Sequence, residues 1–316
     1  MHRIPVALFL CAVLLPTEAL AQDQAAEAPV FRSQVNLVSL AAVVRDRRGR
    51  TVPILSQADF VVRENGKPVP LLELRSDENA PANIALLVDG SGSMALGDSF
   101  GLSRDVARRI LASLQPGRDE AALYSFDTRL LTLASFTPDL EQVRERLTYL
   151  QKWGSTSLYD AIAGVAGKIH DRGDARRAII VFTDGNDTSS TQDPAEVATI
   201  ASALDVPVYV FALHAKPIER DSKLPPPALA MLADVTGGLY LAGSDAQTLV
   251  THAATVIDEL RHQHVLAFEA SQEQGWRSLE VGVKGRGYTI RTRGWYWAGA
   301  TATPGEAPPP AAAVTR

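Results

Sequence analysis

Leu86-Leu87-Val88-Asp89-Gly90-Ser91-Gly92-Ser93-Met94 decides how the chain is read. Ile84 to Val88 is a short, unbroken apolar run, the pattern of a strand buried on both faces, as in a parallel sheet. The run stops at Asp89, and a loop of small residues follows. Asp89, Ser91 and Ser93 alternate with two glycines, which let the loop turn tightly so that three oxygen-bearing side chains converge. In an open parallel sheet, ligands bind beyond the carboxyl ends of the strands. Hard oxygen donors in that position suit Mg²⁺, with Mn²⁺ or Ca²⁺ as alternatives.

Two later segments extend the donor set. Gly154-Ser155-Thr156-Ser157-Leu158-Tyr159-Asp160 stands just before a helical pattern. Val181-Phe182-Thr183-Asp184-Gly185 again puts an aspartate at the end of an apolar run. Parallel neighbours lie about 4.8 Å apart, so Asp89 and Asp184 face one cation if their strands are adjacent. Between Asn83 and His262, strand-like runs alternate with stretches of helical period such as Val106-Ile110-Leu114 and Leu158-Ile162-Val165-Ile169. Such alternation predicts an α/β, three-layer domain with a mostly parallel central sheet.

Asp89, Ser91, Ser93, Thr156 and Asp184 together resemble the metal-ion-dependent adhesion site of von Willebrand factor A domains. That site follows an Asp-x-Ser-x-Ser pattern with a later threonine and a later aspartate. Including its flanks, the chain resembles a bacterial family of secreted proteins related to this domain. Asp59-Phe60-Val61-Val62-Arg63-Glu64-Asn65-Gly66-Lys67 matches that family's pattern ahead of the site. The resemblance implies a Rossmann-like fold in which Ser91 and Ser93 bind the ion directly. Thr156 would bind directly or through water, and Asp89 and Asp184 largely through water. It also implies an open coordination position that accepts an Asp or Glu of a protein or peptide partner, and no enzymatic activity. The alternative is a structural or scaffolding protein of the cell envelope, in which the metal only stabilises the loop.

Outside residues 81–262 the pattern turns to β. In residues 31–80, Asn65-Gly66 between the apolar runs Phe60-Val61-Val62 and Pro70-Leu71-Leu72 predicts a hairpin. In residues 263–298, three short strands are expected, closed by Trp295-Tyr296-Trp297, which are read as packing of a terminal strand. Each flank has too few strands to bury a core alone, so the two are expected to form one small sandwich-like domain. His262 and His264 are expected on one strand face as surface histidines, and Asp187 as a helix or loop cap.

Residues 1–21 read as a secretory signal: His2 and Arg3, the apolar run Ile4 to Leu15, and cleavage after Ala21. The protein is therefore expected in the periplasm or outside the cell, with no stable membrane span in the mature chain; the alternative is an uncleaved N-terminal anchor. Residues 22–30 are expected to be a flexible start, and the Ala/Pro-rich residues 299–316 a disordered tail. The one cysteine, Cys11, lies in the leader, which leaves the mature chain without a disulfide or thiolate site.

The formal net charge of -5, with no basic stripe, argues against nucleic acid. No lysine follows the glycines as a phosphate loop requires, and the third glycine of a dinucleotide fingerprint is missing. Ser91 stands where an Asp-x-Asp phosphatase needs a carboxylate. Gly90-Ser91-Gly92 is too short for a hydrolase elbow.

Overall fold

The computed structural model describes residues 37–299, apart from 152–153, 171, 173–174, 214–226 and 286. The leader, the flexible start and nearly all of the Ala/Pro tail lie outside the described residues.

The N-terminal flank supplies β1 (Leu37–Arg45), β2 (Phe60–Glu64), β3 (Lys67–Val69) and β4 (Leu71–Arg75). The turn between β2 and β3 places Asn65 at φ 47° and Gly66 at φ 76°, the left-handed pair that a two-residue hairpin needs. One expectation is corrected here. The apolar run around Pro70-Leu71-Leu72 is not the second arm of that hairpin; Lys67–Val69 is. Pro70, which has no N–H to give a ladder, marks the point where the chain leaves one sheet for another, and β4 pairs elsewhere.

The central sheet is built from β5 (Ala82–Asp89), β6 (Glu120–Phe126), β7 (Leu130–Thr137), β8 (Arg176–Thr183), β9 (Val208–Leu213) and β10 (Tyr240–Gly243). Their order is β10-β9-β8-β5-β6-β7, parallel except for the edge strand β7. Every residue of β5 is buried, as its unbroken apolar run requires. Its side chains alternate between two cores. Ile84, Leu86 and Val88 meet α1 (Ser99–Ala112), α2 (Leu140–Arg146) and the closing helix on one side. Ala85 and Leu87 meet α3 (Leu158–His170), α4 (Pro194–Ala203) and α5 (Ala228–Thr236) on the other. Each such Leu or Ile contributes about 1.5–3 kcal/mol by leaving water. Gly238, after α5, passes so close to β9 that a Cβ there would lie 1.9 Å from the Val208 carbonyl oxygen. Only glycine fits.

The closing helix, α6 (Ala246–His262), leads into β11 (His264–Glu269), β12 (Gly275–Val283), β13 (Thr289–Arg291) and β14 (Trp295–Ala298). These strands interleave with the first flank in two four-stranded sheets, β13-β1-β11-β4 and β14-β12-β2-β3. Between them lies a third core of Leu40, Val44, Val62, Leu266, Phe268 and Tyr296. Tyr296 and Trp297 are buried, as packing of a terminal strand implies. His262 and His264 do not share a strand face. His262 ends α6, its Nδ1 2.8 Å from the Asp258 carbonyl oxygen, whereas His264 opens β11 and is fully buried rather than on the surface.

Arginines knit α6 to its surroundings. Glu259, buried in the helix, receives Arg291 of β13 and lies 3.5 Å from Arg45 of β1. Arg261 pairs with the fully buried Asp119. Arg176, at the start of β8, donates to the Arg261 carbonyl at 2.8 Å.

Candidate metal centre

β5 and β8 are parallel neighbours, with Val88 opposite Phe182. The strands therefore deliver Asp89 and the Thr183-Asp184 pair to the same end of the sheet. Asp89 is fully buried and held on both oxygens: Oδ1 accepts the Ser91 backbone N–H at 2.8 Å, and Oδ2 accepts the Thr183 hydroxyl at 2.7 Å. The Ser91 and Ser93 hydroxyls lie 3.0 Å apart, so the first three predicted donors form one hydrogen-bonded cluster.

The two glycines of this loop are not equivalent. A Cβ at Gly90 would sit 3.0 Å from both the Gln151 carbonyl oxygen and the Ser125 hydroxyl, whereas one at Gly92 would meet nothing within 4 Å. Close packing calls for glycine at 90; neither space nor a positive φ calls for it at 92.

Thr156 stands in the loop before α3 and is buried. Its backbone is tied to the loop after β8: its N–H donates to the Thr188 hydroxyl at 3.0 Å, and its carbonyl accepts from Thr188 and Ser189, both at 2.9 Å. Asp187 caps α3 by accepting from the Leu158 N–H at 2.8 Å, the role expected of it. Ser190 and Asp160 add further bonds between the same two loops. The Gly92 N–H reaches the Gly154 carbonyl at 3.4 Å, joining the serine loop to the threonine loop. The Thr156 hydroxyl makes no hydrogen bond among the described residues. The half-buried Asp184 accepts only the Asn186 N–H, at 3.2 Å, among them.

The electrostatics of the site centre on Asp89. Burial pushes the Asp89 pKa up, hydrogen bonds from Thr183 and Ser91 pull it back in part, and the negative charge of Asp184 raises it further. None of the ion pairs among the described residues involves Asp89 or Asp184. A buried carboxylate without a cationic partner is costly, and a divalent ion is one way to offset it. Among the described residues no group of three or more His, Cys, Asp or Glu side chains can hold a metal. An ion here must therefore rely on hydroxyls alongside the two aspartates, an all-oxygen set that suits hard cations.

Sequence reasoning missed Thr183. A threonine closing an apolar run reads as an ordinary strand residue; its position beside Asp89 emerges only from the pairing of β5 with β8.

A family model for the von Willebrand factor type A domain matches residues 84–186, a span that contains all five predicted donors. The chain carries a von Willebrand factor type A domain. Solved structures with this fold include proximal thread matrix protein 1 from the mussel byssus, 14% identical, with a TM-score of 0.50 over 62% of this chain and 50% of that one. A further structure of the mussel protein has a zinc-occupied MIDAS motif. BatB, a conserved hypothetical protein of Bacteroides thetaiotaomicron, is 18% identical over 57% of this chain and 98% of its own, with a TM-score of 0.48. A von Willebrand factor type A protein from Catenulispora acidiphila is 14% identical over 85% of this chain and 74% of its own, also with a TM-score of 0.48. At 14% identity the likeness to the mussel protein speaks to the fold alone. No curated protein matches the chain. Among the described residues no helix is long and apolar enough to cross a membrane.

Proposed function

We propose that Asp89, Ser91, Ser93, Thr156 and Asp184 hold a divalent cation, Mg²⁺ or alternatively Mn²⁺ or Ca²⁺. Through this site the von Willebrand factor A domain binds an acidic side chain of a protein or peptide partner outside the cytoplasm. The observation that carries this reading is the delivery of Asp89 and Asp184 by neighbouring strands to one end of the sheet, with hydroxyls around them and, among the described residues, no ion pair to a cationic side chain. A bound cation supplies an electrophilic corner that a carboxylate fills better than water does. The chain's own residues set its strength. With Ser91 and Ser93 as neutral direct donors and Asp89 and Asp184 acting largely through water, little formal charge would fall directly on the ion, and the mutually bonded loops hold the donors in place before a partner arrives. The leader pattern Ile4 to Leu15 supports a secreted or periplasmic setting.

A scaffolding role has one observation in its favour. The three loops already bond to one another through Gly92–Gly154 and Thr156–Thr188, and Ser157–Asp127 ties them to the turn after β6, a framework that an ion would simply lock. Pull-down from the native cell envelope with wild type and Asp184→Ala, with and without chelator, separates the two. Adhesion-type binding predicts partners lost in the variant and in chelator. Scaffolding predicts that the same partners stay while the melting temperature falls. Failure of all three cations to bind the purified protein at millimolar levels overturns both.

A further inference from the structure

At the opposite end of the sheet from Asp89, a cavity of about 370 Å³ opens between the start of β8 and the strands β1, β4 and β11. Arg75, Arg176, Arg177 and Gln263 line it. Arg176 is 6% exposed, and its guanidinium donates through Nη1 to the carbonyls of Arg261 at 2.8 Å and Glu78 at 3.5 Å. Among the described residues it has no carboxylate within ion-pair distance. Burial, and then the neighbouring Arg261 guanidinium, hold its pKa below the ordinary value, against the opposing pull of Asp77, Glu78 and Asp119. Arg177 spends one donor on the His170 carbonyl at 2.8 Å. Gln263 is 5% exposed, and its side-chain amide has no partner among the described residues.

Three arginines and two acids line the cavity; Asp205 is taken by Arg293 at 3.2 Å, which leaves Asp77, whose carboxylate also accepts the Asn79 N–H at 2.9 Å, to face the arginines. Arg75 lies 3.5 Å from Glu73. Arginine forks and a primary amide are the donors that planar or tetrahedral oxyanions require. A volume of 370 Å³ equals about a dozen water volumes, which limits an occupant to on the order of ten non-hydrogen atoms.

We propose that this cavity binds a small oxyanion, the phosphate or carboxylate group of a compact molecule, with Arg176, Arg177 and Gln263 as its donors. The site is separate from the metal centre and does not depend on it.

The test is calorimetric titration of the full chain at low ionic strength, in chelator, with inorganic phosphate in one arm and succinate in the other. Saturable one-site binding in either arm, with a Kd of about 1 mM or tighter, supports the site, and the arm that binds identifies the anion class. Affinity should fall about tenfold or more in Arg177→Gln and in Gln263→Leu, since each loses a hydrogen bond to a charged group. It should be unchanged in Asp184→Ala. Arg176→Gln should act likewise; because Arg176 also holds the end of α6, the other two variants decide the matter if it fails to fold. No saturable binding in either arm, or binding unaltered in both Arg177→Gln and Gln263→Leu, overturns the proposal.

Discussion

The Thr183 hydroxyl donates to Asp89 Oδ2 at 2.7 Å, across the pairing of β5 and β8, and fixes the one buried carboxylate of the candidate metal centre. The Thr183 hydroxyl oxygen in turn accepts the Gly185 N–H at 3.0 Å, so Thr183 also shapes the turn that carries Asp184. Thr183→Val keeps the shape and removes both bonds. Mn²⁺ affinity measured by calorimetry should drop about tenfold or more, the worth of a hydrogen bond to a charged group. Thr183→Ser should recover most of it. Equal affinity in wild type and Thr183→Val would remove Thr183 from the site.

Charge balance at Asp89 leads to an opposite pair of effects. In chelator, Asp89→Asn should melt no lower than wild type, because it removes a buried negative charge raised in pKa by burial and by Asp184. Adding Mg²⁺ at about 100 times its Kd should stabilise wild type by about 2.7 kcal/mol and raise Tm by roughly 5–10 °C. Asp89→Asn should show no such rise. A magnesium-dependent shift of equal size in both proteins counts against Asp89 as part of the ion's shell.

His264 gives the fold a pH dependence of its own. It is fully buried, with Nε2 donating to the Val52 carbonyl at 2.8 Å and Nδ1 without a partner among the described residues. Burial, partly opposed by that bond and reinforced by Arg176, lowers its pKa from 6.5. Between its folded pKa and 6.5 the unfolded chain binds a proton that the folded chain does not. The stability that His264 contributes is therefore complete above pH 6.5 and is lost as pH falls toward the folded pKa. Urea unfolding from about pH 8 to pH 5 should show this loss. His264→Gln should flatten the profile below 6.5, and an unchanged slope would assign the loss to another group.

Glu259 is the hub of a buried ion cluster, with Arg291 bonded to both its oxygens and Arg45 at 3.5 Å. Glu259→Ala leaves Arg291 uncompensated and should cost about 3–5 kcal/mol in urea unfolding. The double variant Glu259→Met with Arg291→Met should recover most of that loss. If the double variant is as unstable as the single one, packing rather than charge accounts for the cost.

How much of this was legible in the sequence depends on how far each signal reaches along the chain. β5 writes itself as an unbroken apolar run because both faces are buried, and α3 shows its period through Leu158, Ile162, Val165 and Ile169. Asn65-Gly66 announces its hairpin because positive φ is expensive for other residues. Long-range relations leave no such mark. The switch of sheets at Pro70, the burial of His264 under the Val52 carbonyl and the service of Thr183 to Asp89 each depend on a partner from a distant strand. The loop glycines misled in a different way. Both looked equally necessary, yet the packing of Gln151 and Ser125 demands a glycine only at 90.

The shuffled order of the flanking strands has a consequence for assembly. β1 lies against β11 and β13, β2 against β12, and β4 against β11, so each borrows its neighbours from the last part of the chain. The central sheet, by contrast, draws only on Ala82 to Gly243. A polypeptide made from its N-terminus can close the nucleus of the α/β layer while its earliest strands still have bare edges. Those edges are covered only after His264 has emerged. The molecule is thus finished from the inside outward, and the period before its tail arrives is when it is most open to pairing with the wrong chain.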